Sequence, residues 1–210
     1  TGEGGIITTN NDSLANKLRI LRDHGASKTD LQRHLGAKPY LLSDHPKAGY
    51  NFRLTDIQAV LGSSQMKRAD EICSERGRLA KNYHDSLKGL KDLRVTKPEK
   101  DLIHGYQSYA CLFQPDKVKL AIQKKDKDLI ETIGKERNVF MEYLQEQGIS
   151  TRPSTHAVHM LTYYKYKYKK ESIHYPESYA ANNCSISLPL FHGMKESEQS
   201  YIIEKIKQKL

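Results

Sequence analysis

An α/β fold is predicted for this 210-residue chain, and three observations carry the prediction. From about Leu90 onward short apolar strand-like runs alternate with longer stretches of helical spacing, the pattern of a small sheet covered by helices. A capping box at Thr55-Asp56-Ile57-Gln58 launches a helical stretch that runs, with a break, to about Leu87. The hydrophobic share of 37%, without Trp, lies well above that of a disordered chain, so the sequence folds.

The elements follow in order. TGEGGIITT, Thr1 to Thr9, reads as a glycine turn feeding a buried strand over Gly5 to Thr9. Asn10, Asn11 and Asp12 turn the chain into a helix with Leu14, Leu18 and Leu21 on one face and Gly25 at its end. Ala26 to Ala48, with Pro39 and Pro46 and few periodic apolar positions, reads as a long loop or lid; loops of that length are often functional. After the long helix, Leu93 to Thr96 and Tyr106 to Phe113 read as strands. Asp128-Leu129-Ile130-Glu131 resembles a second capping box, heading a helix with Ile133, Phe140 and Leu144 on one face and closed by Gly148. Ile149 to Thr151 returns as a strand, followed by a Tyr- and Lys-rich region from Tyr163 to Lys170. A short helix around Ser178 to Asn183, a strand at Ile186 to Leu188 and a last helix carrying Ile202, Ile206 and Leu210 complete the chain.

The net charge of +9 comes from scattered lysines interleaved with acids, as in Lys124-Lys125-Asp126-Lys127-Asp128, rather than from an arginine stripe. That distribution serves solubility, and no nucleic-acid partner is expected. No apolar run approaches the roughly 20 residues that span a bilayer, so no membrane is expected either. Cys73, Cys111 and Cys184 show no metal-binding or redox spacing and read as reduced, packed thiols of a cytoplasmic protein. Phosphate loops, dinucleotide fingerprints and nucleophile elbows are missing from the sequence.

Two stretches concentrate polar chemistry. In GYNFRLTDIQA, Gly49 to Ala59, Asn51 offers an amide, Arg53 a guanidinium fork and the capped helix start a set of aligned N–H groups. Such a cluster suits a phosphate, because helix N-termini carry unpaired donors and a positive dipole end; equally, Asn51 and Arg53 can serve only to hold the loop against the helix. In TRPSTHAVH, Thr151 to His159, Arg152 lies close to His156 and His159. With no carboxylate or cysteine at a matching distance this is not a metal pattern, and the plainer reading has one histidine satisfied in the core and the other exposed. The Tyr163 to Tyr168 run reads as a helix face with lysine stems lying over tyrosine rings.

The succession TGEGGIITT, LRDHG, GYNFRLTDIQAVLGSSQ, YQSYACLF, GISTRPSTHAVH and SLPLFHGM resembles, block by block and in order, the DegT/StrS family of sugar aminotransferases that use pyridoxal 5'-phosphate. The resemblance covers essentially the whole chain and implies the C-terminal portion of an aspartate-aminotransferase-like, fold type I transferase. Residues 1–48 would be the end of the large cofactor-binding domain with a variable loop bordering the substrate entrance. Residues 49–89 would be interface helices, and 90–210 a small α/β domain. It implies a homodimer that moves an amino group from glutamate to a keto sugar on a nucleoside diphosphate. Asn51 is thereby matched to an asparagine that reaches the cofactor phosphate of the other subunit. Arg53 is matched to loop positioning or an anionic substrate group, and Arg152, His156 and His159 to the surroundings of the nucleotide-sugar. The lysine that carries the cofactor would lie just before the position of Thr1, so no catalytic residue is assigned within the chain and it is not expected to transaminate alone. A noncatalytic interaction module, or a sugar dehydratase of the same family with histidine in place of that lysine, are the alternative readings.

Overall fold

The computed structural model describes residues 1–96, 98 and 101–210. They form two compact units, Thr1–Ala69 and Asp70–Leu210.

The first unit holds three helices. Helix α1 (Asp12–Arg22) starts on Asn11, whose side chain accepts the Leu14 N–H. Helix α2 (Asp30–His34) lies inside the expected lid, capped by Thr29 with Gln32 reciprocating. Helix α3 (Asp56–Met66) starts on the Thr55 capping box. None of the three buries a residue.

The strand expected over Gly5 to Thr9 does not form, and Ile6 and Ile7 are 89% and 70% exposed. Two β-branched residues make a strand only beside a neighbour that supplies the ladder's donors and acceptors. Among the described residues no strand pairs with them.

The second unit has a conventional core. Helix α4 (Ala69–Leu87) follows a short break after α3 and buries Leu79, Ala80, Tyr83 and Leu87, one stripe of a 3.6-residue period. Strands β1 (Leu93–Val95), β2 (Tyr109–Phe113) and β3 (Ser185–Leu188) form an antiparallel sheet in the order β1-β2-β3. Leu93 faces Phe113 across one ladder and Cys111 faces Ile186 across the other. Between β2 and β3 run α5 (Pro115–Lys124), α6 (Lys127–Glu146), α7 (Thr162–Tyr168) and α8 (Pro176–Cys184), and α9 (Glu196–Lys209) ends the chain. Gln199 of α9 is fully buried because its amide donates to the Leu79 carbonyl at 2.7 Å and accepts from Asn82 at 2.7 Å, which docks α9 on α4.

Several boundaries differ from expectation for local reasons. Helix α5 arises where the strand reading ends, on Pro115 at its first turn, with Val118 and Ala121 buried at helical spacing. Helix α6 begins two residues earlier than the Asp128 box suggests, because the Asp126 carboxylate accepts the Leu129 N–H at 2.9 Å. Residues 149–151 form no strand; only Arg152 pairs, by two backbone bonds of 2.7 and 3.4 Å with Ser187. Strand β2 starts at Tyr109 rather than Tyr106, where a positive φ of 43° interrupts extension.

Cys111 and Cys184 are buried as expected, but Cys73 is exposed. It stands on α4 ahead of Leu79, the first buried residue of that helix. Burial raises the Cys111 thiol from 9.0 to about 12 and the Cys184 thiol to about 11. Native protein is therefore expected to react with a thiol reagent at pH 8 at Cys73 alone, and denatured protein at all three; a second fast thiol would contradict this packing. In unfolded chains both buried thiols ionise nearer their ordinary value. The unfolded state thus binds fewer protons above about pH 9, and stability falls as pH rises from there.

Candidate functional site

In the first unit, the site is built on two glycines. Gly25 has a φ of +78°, and a Cβ at Gly49 would stand 2.7 Å from the Gly25 Cα, so both positions require hydrogen. Their close approach lays residues 50–52 along the end of α1. His24 N–H donates to Tyr50 O at 2.9 Å, Tyr50 N–H to Leu21 O at 2.8 Å and Phe52 N–H to Arg22 O at 2.9 Å. Asn51 is the residue at the bridge position, paired with Asp23.

The Asn51 side chain is exposed and oriented: Arg53 Nε donates to its Oδ1 at 3.2 Å. The amide nitrogen is left to serve as donor. Arg53 also reaches the carboxylates of Asp23 at 3.6 Å and Asp30 at 3.9 Å. Asp23 is buried, so this guanidinium is held by its own loop and acts first as a positioning group. Thr55 accepts the Gln58 N–H at 3.3 Å, and Gln58 Nε2 donates to the Thr1 and Glu3 carbonyls at 3.3 and 3.4 Å. Thus the start of α3, the Asn51 loop and the TGEG segment are tied into one assembly. Beside it, Arg53, Lys28, Asp30, Arg33, Ser43 and His45 line a cleft. The expected lid is stitched down around it by Ser27 N–H to Asp44 O at 2.8 Å and Ser43 Oγ to Lys28 O at 3.2 Å.

Within the second unit, Arg152 lines a separate cleft with Gln107, Ser108, Ser150, Ser154 and Ser187. A lone guanidinium among hydroxyls and an amide is suited to an anionic or polyhydroxylated ligand. Its walls are fixed from behind. Ser187 Oγ donates to Ser154 Oγ at 3.0 Å, Ser154 N–H to Ser185 Oγ at 3.2 Å, and the buried Arg137 donates to Ser185 O at 2.6 Å. Arg76 of α4 donates to the carbonyls of Gln107 and Leu190 at 3.1 and 3.2 Å and so ties both rims.

Sequence reasoning singled out neither Arg76 nor Arg137; both are long-range partners with no local signature. His156 and His159 do not line this cleft. His159 is half-buried, with Nε2 3.3 Å from Ser172 O and its ring edge-on to Tyr175 at 5.1 Å, while His156 is exposed. That is the plainer of the two arrangements foreseen for the pair. Among the described residues, no group of three or more His, Cys, Asp or Glu side chains could hold a metal ion. Nor is any helix among them long and apolar enough to cross a membrane.

The fold recurs as part of larger solved structures. It matches the putative sugar aminotransferase Spr1654 from Streptococcus pneumoniae with a TM-score of 0.75 at 22% identity, over 95% of this chain and 45% of that one. The Helicobacter pylori aminotransferase PseC, involved in the biosynthesis of pseudoaminic acid, matches with a TM-score of 0.71 at 20% identity, over 95% and 47%.

A profile of the DegT/DnrJ/EryC1/StrS aminotransferase family matches residues 1–207, and the chain belongs to that family. The spore coat polysaccharide biosynthesis protein SpsC of Bacillus subtilis is 27% identical over 208 residues, 99% of this chain and 49% of SpsC. MJ1066 of Methanocaldococcus jannaschii is also 27% identical over 208 residues, 99% of this chain and 50% of its own length. The chain therefore spans about half the length of the curated relatives it matches.

Proposed function

We propose that these residues form the C-terminal part of a sugar aminotransferase dependent on pyridoxal 5'-phosphate. In that enzyme an amino group passes from glutamate to a keto sugar carried on a nucleoside diphosphate. The observation that carries the reading is the Asn51 loop at the start of α3, inside a family match that runs from residue 1 to 207.

The residues fit the cofactor's phosphate. Asn51 presents an amide donor whose oxygen is already engaged by Arg53, and the α3 N-terminus adds the positive end of a helix dipole. When bound, the cofactor supplies the electron sink on which amino transfer runs. The chain's own contribution is to hold and to orient. Asn51 binds the phosphate, across the interface of a homodimer, and Arg53 keeps Asn51 and the lid loop in place. Arg152 meets anionic groups of the nucleotide-sugar, with His156 and His159 following it on the substrate side. The TGEG segment, tied to Gln58, leads toward the region that bears the cofactor's lysine in the complete enzyme. The buried, unpaired thiols Cys111 and Cys184 accord with a reducing cytoplasmic setting.

Since half the relatives' length is not spanned, this chain by itself is expected to lose added pyridoxal phosphate on dialysis. A stable yellow protein after dialysis would defeat that expectation. In the complete enzyme, Asn51→Ala is expected to weaken cofactor retention by about 1–3 kcal/mol, the scale of a lost hydrogen bond to a charged group. Equilibrium titration with the cofactor checks it, and an unchanged affinity would remove Asn51 from the phosphate site. A noncatalytic pairing module is the second reading. It is separated from the first by whether the natural protein carries the upstream lysine.

A further inference from the structure

We propose that Arg76 and Arg137, which stand behind the walls of the Arg152 cleft, make it selective for a diphosphate over a singly charged or neutral group. The proposal rests on the reading that Arg152 meets anionic groups of the substrate, and it names the group and two further residues that select it.

The guanidinium groups of Arg76, Arg137 and Arg152 gather at this cleft, and among the described residues none of them is in an ion pair. Arg152 lines the cleft itself. Arg137 is only 6% exposed; it donates to the Ser185 carbonyl at 2.6 Å, and its buried Nε has no hydrogen-bond partner. Arg76 is half-buried, donates to the carbonyls of Gln107 and Leu190, and likewise leaves a buried Nε without a partner. Both charges are therefore held by neutral carbonyl dipoles. Such dipoles offset only part of the cost of taking a cation out of water. Burial lowers the Arg137 pKa, as expected of a cation without a counter-ion.

The cleft is where a counter-ion can approach. Gln107 and Leu190, held by Arg76, line it, and Ser185, held by Arg137, fixes Ser154 of its wall. No Asp or Glu lines it. The cleft of the first unit differs in this respect, since Asp23 and Asp30 line it and reach Arg53. Within the protein the buried charges are screened less than in water, so their attraction extends to an anion in the cleft. Each further negative charge on the ligand gains from all three cations, while a neutral polyol gains from none. A volume of about 380 Å³ admits a diphosphate, and the Arg152 fork suits its oxygens.

The test is titration of the 210-residue chain with inorganic pyrophosphate and with inorganic phosphate, followed by the NMR shifts of the Ser150, Ser154 and Ser187 amides, which report on this cleft. Pyrophosphate is expected to bind at least about tenfold more tightly than phosphate. Arg137→Gln and Arg76→Gln, which remove a charge and keep an amide donor, should each weaken pyrophosphate by about tenfold and phosphate by less. Arg137→Lys keeps the charge and should keep the selectivity. A merely structural brace would instead weaken both anions in equal proportion. That outcome, or selectivity unchanged in both glutamine variants, would overturn the proposal while leaving Arg152 as an anion-binding group. Amides that ignore pyrophosphate, or a titration that Arg152→Gln leaves unchanged, would overturn the Arg152 reading and this proposal with it.

Discussion

Gly49→Ala is expected to release the Asn51 loop from the end of α1. The new methyl group overlaps the backbone of Gly25, which cannot rotate aside as a side chain would, and Gly25 is itself pinned at a φ of +78° beside the Lys47 carbonyl. Relief therefore requires the backbone bonds of His24, Tyr50 and Phe52 to part. Hydrogen exchange of these amides should accelerate by at least about a hundredfold, equivalent to about 3 kcal/mol of local stability, in the upper range for a single substitution. Gly62→Ala in α3 is the control. Its Cβ makes only an ordinary 3.5 Å contact with Thr1, so exchange should stay unchanged or slow slightly. In the complete enzyme the Gly49 variant should retain cofactor no better than Asn51→Ala, since it displaces Asn51 and Arg53 together. Unaltered exchange in the variant would show that the glycine pair is not what fixes the loop.

Tyr83→Ala is expected to cost the second unit about 3–5 kcal/mol, the range for removing a large buried aromatic side chain. Tyr83 is fully buried on α4, its ring 5.0 Å from that of Tyr109 and its hydroxyl donating to the Pro189 carbonyl at 2.9 Å. Burial raises its hydroxyl pKa strongly, so the group stays a neutral donor across the working range. Tyr83→Phe keeps the ring and loses only the bond to Pro189, at a cost of about 1 kcal/mol. Urea unfolding followed by far-ultraviolet circular dichroism separates the two, with the alanine midpoint far below that of phenylalanine. Equal midpoints would place the stabilisation in the hydroxyl rather than in packing. Pro189 also borders the Arg152 cleft, so the phenylalanine variant loosens a cleft wall while leaving the core filled.

The two units differ in how far they are legible from sequence. Helices α4, α6 and α9 announce themselves because their buried residues recur at helical spacing, a signal each segment carries alone. The α3 capping box is equally local, and Thr55 and Gln58 form it as expected. Ile6 and Ile7 are misleading for the opposite reason: a short β-branched run signals a strand, but a strand exists only when a neighbour completes the ladder. Helix α5 goes unnoticed because Gln114 and Pro115 look like a stop, and a proline at a helix start reads the same as one that ends a strand.

For the site the division is similar. Asn51 and Arg53 lie two residues apart, so their partnership is visible in the sequence, while Asp23 and Asp30, which hold Arg53, come from α1's end and the lid. Arg152 is readable as a lone cation in a polar stretch; the serines around it are gathered from β3 and from the segments before β2 and after α6.

By itself the sequence determined helices α1, α3, α4, α6, α8 and α9, the Thr55 cap, the order of the family's blocks and the identity of Asn51 and Arg53, because each rests on residues within a turn or two of one another. The tertiary structure alone decided that Gly25 and Gly49 meet, that Arg76 and Arg137 brace the Arg152 cleft, and that His159 turns to Ser172 while His156 stays exposed. Those outcomes depend on hydrogen bonds and excluded volume between distant segments, which no spacing along the chain encodes.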